Sequence, residues 1–103
     1  MTSERRTRTN VADAWRFIRQ RQPSKTSGAL WGTRETYGSG RLTGFELIQF
    51  RRAVEEGHID FIVMSYNTPI AWYNKTLKKW HIVNDKFSVT TSKHQTVTRR
   101  AVS

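Results

Sequence analysis

A run of eight residues near the C-terminus, SVTTSKHQ (residues 88–95), is dense in side chains that can do chemistry. It holds four hydroxyl groups, a lysine, a histidine and a glutamine. Such a set is found where a base activates a serine nucleophile, where a loop binds phosphate, and where a helix begins. The segment is therefore open to three interpretations: an active site, an anion site or a helix cap.

Catalysis has little support from the rest of the chain. Ser92, His94 and Asp85 could be arranged as a triad, and Asp60 with His81 could join Asp85 around a metal ion. However, the sequence contains no nucleophile elbow, no HExxH or HxH motif and no paired-acid signature of a catalytic site. It also contains no cysteine, which excludes thiolate metal sites and disulfides. We therefore predict a non-enzymatic protein with no catalytic residue, no metal site and no cofactor.

The helix cap accounts for most of the hydroxyl groups. Ser92 and Gln95 have the spacing of a capping box, in which a serine binds the third helical amide and a glutamine reaches back. Thr90 and Thr91 suit the exit from a strand, because their side chains bond to nearby backbone groups. This pattern predicts a helix over about residues 93–101 with Ser92 as its cap.

The anion-site interpretation depends on Lys93 and His94. In that predicted helix both lie in the first turn, where the helix dipole is already positive and favours an acid. A bound phosphate would relieve this unfavourable arrangement. Ser92, Lys93 and His94 are therefore predicted to contact an anion.

The charge of the chain points in the same direction. Its 103 residues carry a formal net charge of +10, distributed as +6 over residues 1–34, −2 over 35–72 and +6 over 73–103. Two basic ends around a slightly acidic middle attract polyanions such as DNA, RNA or an acidic protein. No run approaches the length and apolarity of a membrane span, and the first fifteen residues lack the apolar region of a signal peptide.

Helical periodicity appears in two further places. Val11, Trp15 and Ile18 predict a helix over about residues 11–21 that begins near Asn10 and exposes Arg16, Arg19 and possibly Arg21. A second helix is predicted after a capping box at Thr43–Glu46 and ends before Gly57. Between the two, ALWGTRETY (29–37) could form a short strand or hairpin arm among many glycines.

Strands are predicted in the second half of the chain. IDFIVMSY (59–66) reads as a buried central strand, IAWYN (70–74) and KWHIVN (79–84) as its successors, and KFSV (86–89) as a possible fourth. The predicted fold is α+β: a small antiparallel meander of three or four strands packed by two or three helices. Residues 10–103 form this single domain, and residues 1–9 are a flexible basic tail.

Aromatic and basic residues alternate along the later strands. Trp72 and Trp80 are expected in the core, whereas Tyr73 is expected to be exposed and to offer a surface for base stacking. With Tyr73, Ser92 and His94, nine basic side chains make up the predicted contacts. They are Lys75, Lys78, Lys79, Lys93, Arg99, Arg100, Arg5, Arg6 and Arg8.

Two stretches, SYNTPIAW (65–72) and FSVTTSKHQ (87–95), are separated by a short strand that contains Trp80. Over about residues 57–97 the chain resembles a family of small uncharacterised proteins carried by phages of actinobacteria. The resemblance implies a phage-encoded accessory protein that acts in the host cytoplasm, and it assigns no role to any residue.

The sequence therefore predicts a small basic protein that binds nucleic acid, DNA or RNA, through phosphate contacts. The alternative is a protein that binds and modulates an acidic host protein through its arginine-rich arm. A small nuclease or other enzyme is a third and weaker alternative.

Overall fold

One mixed sheet runs through the protein, which the computed structural model describes over residues 4–102. Its strands lie side by side in chain order, and only the first pair is parallel. The strands are β1 (Thr7–Arg8), β2 (Ser24–Lys25), β3 (Leu30–Thr33), β4 (Ile59–Ser65), β5 (Thr68–Asn74) and β6 (Lys79–Ile82). The helices are α1 (Ala14–Arg19), α2 (Gly44–Glu55) and α3 (Val89–Val102).

Strand β4 is central because its residues are apolar on both faces. Phe61 and Val63 face one side, Ile62 and Met64 face the other, and all four are buried. Successive side chains of a strand point to opposite faces, so a continuous apolar run requires a layer of helices on each side. The prediction of a buried central strand is confirmed.

The two helical layers differ in composition. Helices α1 and α3 contact each other and cover one face of the sheet, where Ala14, Ile18 and Ala101 pack on Phe61 and Val63. Helix α2 covers the opposite face alone, and its Phe50 packs edge-on against the indole of Trp72 at 5.1 Å between ring centroids. Trp72 is therefore in the core, as predicted. Trp80 is half-buried against the α1/α3 layer.

The α+β class is confirmed, but the sheet has more strands than the predicted meander. Strand β3 bears out the short strand predicted within residues 29–37, and its register with β4 runs from Leu30–Ser65 to Thr33–Ile62. Strands β1 and β2 were not predicted, because two-residue strands carry no periodicity. The segment KFSV forms no strand: its last residue, Val89, already begins α3.

The flexible tail predicted over residues 1–9 lies partly outside the described residues. From residue 4 onward the segment is tied to the sheet, since the Thr7 and Thr9 amides donate to the carbonyls of Pro23 and Lys25 at 3.1 and 2.9 Å. The Glu4 carboxylate accepts a 2.6 Å hydrogen bond from the Thr33 hydroxyl and another from the Arg34 amide. Residues 4–9 therefore form an edge of the sheet.

The predicted helix boundaries need correction at their N-terminal ends. Residues 11–13 form a turn, with the Asp13 amide donating to Asn10 Oδ1 at 2.7 Å, so α1 begins only at Ala14. The Thr43 side chain makes no capping bond. Its expected partner, Glu46, instead places Oε2 2.8 Å from His81 Nε2 and so connects α2 to β6. A hydrogen bond between two elements is here present in place of the local cap.

Helix α3 starts four residues before the predicted position. Ser88 is its cap, because Ser88 Oγ accepts a 3.1 Å hydrogen bond from the Thr91 amide three residues later. Ser92 lies inside the helix, with its amide bonded to the Ser88 carbonyl at 2.9 Å. Gln95 does not reach back to Ser92: its Nε2 donates to the carbonyls of Val83 and Asp85. The predicted capping box at Ser92–Gln95 is wrong.

Candidate nucleic-acid interface

The predicted contact residues lie in three separate places. Arg5, Arg6 and Arg8 lie on or just before β1, at one edge of the sheet. Tyr73, Lys75, Lys78 and Lys79 lie on β5, β6 and the turn between them, at the opposite edge. Five steps between neighbouring strands separate the two edges, or about 24 Å. Ser92, Lys93, His94, Arg99 and Arg100 belong to α3. No single surface brings all of them together.

His94 points into the protein. Its side chain is 3% exposed, and its Nδ1 lies 2.7 Å from the Ser65 hydroxyl. Burial removes water from the imidazole and lowers the pKa of His94 below its ordinary value of 6.5, so the ring is neutral at pH 7. The early start of α3 also moves Lys93 and His94 out of the first turn. The dipole argument that favoured an anion at these residues therefore no longer applies.

The hydroxyl groups of this segment form an internal chain. When His94 is neutral and its Nδ1 is the acceptor, it accepts a hydrogen bond from the Ser65 hydroxyl. Ser65 in turn accepts a hydrogen bond from the Thr91 hydroxyl at 3.0 Å. Thr91 accepts from Ser88 Oγ at 3.1 Å. In this order each hydroxyl donates once and accepts at least once. The chain attaches the start of α3 to the end of β4.

This arrangement adds no support for a catalytic site. In residues 4–102 no hydrogen bond joins a carboxylate to His94, so the serine–histidine pair has no third member there. In the same range no cluster of three histidine, cysteine or acidic side chains has the geometry to hold a metal ion.

No helix described here is long and apolar enough to cross a membrane.

Tyr73 is only partly accessible for base stacking. It is half-buried, and the Arg21 guanidinium lies 4.1 Å from its ring centroid. Trp80 meets it edge-on at 5.6 Å. Arg21 is in turn 3.4 Å from the Asp60 carboxylate. Tyr73 thus belongs to a packed cluster, while Lys75, Lys78 and Lys79 beside it are exposed.

The N-terminal arginines have different roles. Arg6 donates a 2.6 Å hydrogen bond to the Tyr37 hydroxyl and lies 4.6 Å from the centroid of the Trp31 ring. It also pairs with Glu4 at 3.1 Å. These contacts hold Arg6 against the body of the protein. Arg5 and Arg8 are exposed at the sheet edge and remain accessible to a ligand.

A basic surface that the predicted set of contacts covered only in part lies on the α1/α3 layer. We call the exposed side of these two helices the α1/α3 face and define it by five exposed side chains: Arg16 and Arg19 of α1, and Lys93, Arg99 and Arg100 of α3. Of these, Arg99 also donates a 2.9 Å hydrogen bond to Asn84 Oδ1, in the segment after β6. Arg19 joins the two helices, since its Nε donates to the Ala101 carbonyl at 3.1 Å. Neither helix contains an acidic residue.

Trp15 helps to order this surface. It is half-buried against the core, and the guanidinium carbons of Arg16 and Arg19 lie 5.4 and 5.0 Å from its ring centroid. Cation–π contacts of this kind hold arginine side chains near the surface. Helical periodicity had placed Arg16 and Arg19 on an outer face, but nothing in the sequence indicates that α1 lies beside α3.

The opposite helical layer has no such charge. Within α2, Arg51 and Arg52 are balanced by Glu46 and Glu55. Arg52 lies 4.0 Å from Glu56, immediately after the helix. The two faces of the sheet therefore differ in charge, and the excess lies on the α1/α3 face.

Comparison with known proteins gives one result. A protein-family model described as "Family of unknown function (DUF8033)" matches residues 9–98. No significant match was found among curated proteins or among solved structures. The matched range contains α1 and most of α3, and it ends immediately before Arg99.

Proposed function

We propose that this chain, which belongs to the DUF8033 family, binds nucleic acid through its α1/α3 face. The observation that carries the proposal is the charge difference between the two helical layers: five exposed bases and no acid in α1 and α3, against a balanced α2. A one-sided positive field raises the local concentration of a polyanion and orients its approach.

The type of base supports phosphate as the ligand. Four of the five bases on this face are arginines, whose planar guanidinium can donate two parallel hydrogen bonds to one phosphate. Trp15 holds two of them close to the surface, which reduces the side-chain entropy lost on binding. These contacts would be made to the backbone of the nucleic acid and would carry no sequence preference.

The exposed bases at the sheet edges would add affinity at a distance from this face. Lys75, Lys78 and Lys79 at one edge, with Arg5 and Arg8 at the other, extend the positive field around the molecule. The resemblance to phage proteins adds the proposal that binding takes place in the cytoplasm of a host cell, where the protein has an accessory role. A cysteine-free chain is compatible with that reducing compartment.

The proposal is tested by two matched double variants. Arg16→Gln with Arg100→Gln removes two charges from the α1/α3 face, and Arg51→Gln with Arg52→Gln removes two from α2. Fluorescence anisotropy with labelled duplex DNA and labelled single-stranded RNA, at about 0.1 M salt, measures the affinity. We expect the first pair to weaken binding about tenfold or more and the second to change it little.

The controls separate binding from folding and from general charge. Circular dichroism should show the same thermal transition before and after each pair of substitutions. Equal losses from both pairs would mean that total charge, and not the α1/α3 face, determines binding. If the unmodified protein retains neither polyanion at about 0.1 M salt, nucleic-acid binding is excluded and the rival, an acidic protein partner, takes its place.

A further inference from the structure

Within residues 4–102, strand β6 has a neighbour on one side only, because it is the last strand of the sheet. Its register with β5 shows which backbone groups face outward. The Val83 amide donates to the Ile70 carbonyl at 2.9 Å, and the Cα partners that precede this bond are Ala71–Ile82 and Tyr73–Trp80. In an antiparallel ladder the bonded and non-bonded pairs alternate. The N–H and C=O groups of Trp80 and Ile82 therefore point away from β5.

A groove lies beside this edge on the α2 side. Its volume is about 240 Å³, and it lies between α2 and the β5–β6 hairpin. Its lining is mixed: Ala53, Trp72 and Leu77 supply apolar surface, and Gln49, Lys79 and His81 supply polar groups. Leu77 is 62% exposed although it is a large apolar side chain. A strand added to β6 would direct every second side chain toward this groove.

The surroundings of the edge are strongly basic. Lys75, Lys78, Lys79 and Lys86 are exposed on the hairpin and just after β6, and Asp85 is the only acid between residues 74 and 88. In α2, Glu46 bonds to His81, which lines the groove. A ligand at this edge therefore meets four lysines and one acid, a net charge of +3.

We propose that β6 binds an extended, acidic segment of another protein as a seventh strand. Peptides that extend a sheet gain affinity from main-chain hydrogen bonds and specificity from side-chain pockets, and this edge offers both. The outward donors and acceptors of Trp80 and Ile82 match the alternating groups of an extended chain. The four lysines select acidic side chains on that chain by charge complementarity.

Other occupants fit the edge less well. Phosphate oxygens only accept hydrogen bonds, so the phosphates of a nucleic acid could not donate to the outward carbonyls of Trp80 and Ile82. A second copy of this chain, paired edge to edge, would place two sets of four lysines together, a known protection against strand pairing. An acidic peptide satisfies the ladder groups and the lysines at once.

The probe is a short labelled peptide of alternating glutamate and valine, compared with its counterpart of alternating lysine and valine. Affinity is measured by anisotropy, and amide hydrogen exchange is followed by NMR in the free and bound protein. We expect the acidic peptide to bind and the basic one not to bind. In the complex, the amides of Trp80 and Ile82 should exchange at least tenfold more slowly, while the β5-bonded Val83 amide changes little.

A matched pair of charge reversals tests the lysines. Lys75→Glu with Lys79→Glu should weaken the acidic peptide about tenfold, and Arg5→Glu with Arg8→Glu, the same charge change at the opposite edge, should not. Equal effects of the two pairs, or peptide binding that leaves the Trp80 and Ile82 amides in fast exchange, would overturn the proposal. Two other results would also overturn it. If exchange of these amides slows when only the protein concentration is raised, a second copy of the chain occupies the edge. If it slows on adding duplex DNA, nucleic acid does.

Discussion

At the scale of single residues, His94 is a potentially reactive side chain that instead makes a hydrogen bond inside the protein. The sequence places a histidine among four hydroxyl groups, which suggests catalysis or phosphate binding. In the structure the imidazole is buried, neutral and bonded to Ser65, a residue 29 positions earlier in the chain. Such a long-range partner cannot be deduced from local spacing, so the sequence alone did not separate the structural role from the functional ones.

The lowered pKa of His94 makes stability depend on pH. The unfolded chain takes up a proton near the ordinary pKa of 6.5, whereas the folded chain does so only at lower pH. Between these two values the unfolded state binds more protons, so the free energy of unfolding falls as the pH falls below about 6.5. Above that pH the contribution is fully present.

This prediction is checked with the variant His94→Asn, which keeps a short polar side chain near Ser65 and cannot titrate. Urea unfolding from pH 8 to pH 5 gives the free energy of unfolding for both proteins. We expect the advantage of the unmodified protein to shrink steadily below about pH 6.5. A difference that stays constant across this range would show that His94 is not the buried neutral group described above.

At the scale of elements, local sequence signals predicted the presence of the helices correctly but not the residues at which the helices begin. Helix α2 was predicted from apolar periodicity and the central strand β4 from a continuous apolar run, and both are present. Both predicted capping boxes are absent, because Glu46 bonds to β6 and Gln95 bonds to the segment between β6 and α3. Two short strands were missed, because pairing with neighbours defines them rather than any pattern of their own.

The start of α3 gives a direct test at this scale. Ser88 caps the helix through the Thr91 amide, and Ser92 lies one turn inside it. Ser88→Ala should therefore lower the free energy of unfolding by about 1 kcal/mol, the usual contribution of an N-cap.

Ser92→Ala is the matched control, since it removes the same hydroxyl from the position that sequence spacing indicated as the cap. Chemical denaturation of both variants should show a loss of stability for Ser88→Ala and little change for Ser92→Ala. The opposite ranking would mean that α3 begins near residue 93, as the capping-box pattern predicts.

At the scale of the whole molecule, composition is the most informative property of the sequence. The net charge and its concentration in the two ends of the chain follow from the residue types alone, and both point to a polyanion. The fold adds the position of that charge. Helix α1 comes from the N-terminal part and α3 from the C-terminal part, and they meet on one face through the Arg19–Ala101 hydrogen bond.

This meeting could not be predicted, because it depends on the order of strands between the two helices. Residues 20–88 contain α2 and five of the six strands described, which together return the chain to the same side of the sheet. The α1/α3 face is therefore a product of topology. The sequence identified its arginines separately, Arg16 and Arg19 as an outer helical face and Arg99 and Arg100 as contact residues.

The central claim, phosphate binding by the α1/α3 face, is tested most directly by salt dependence. The measurement is the affinity for labelled duplex DNA as a function of salt, for the unmodified protein and for Arg16→Gln with Arg100→Gln. The logarithm of the association constant should fall linearly with the logarithm of salt concentration, and the slope should be smaller by about 2 in the variant, about one for each lost contact. An unchanged slope, or an affinity that does not depend on salt, would contradict the account.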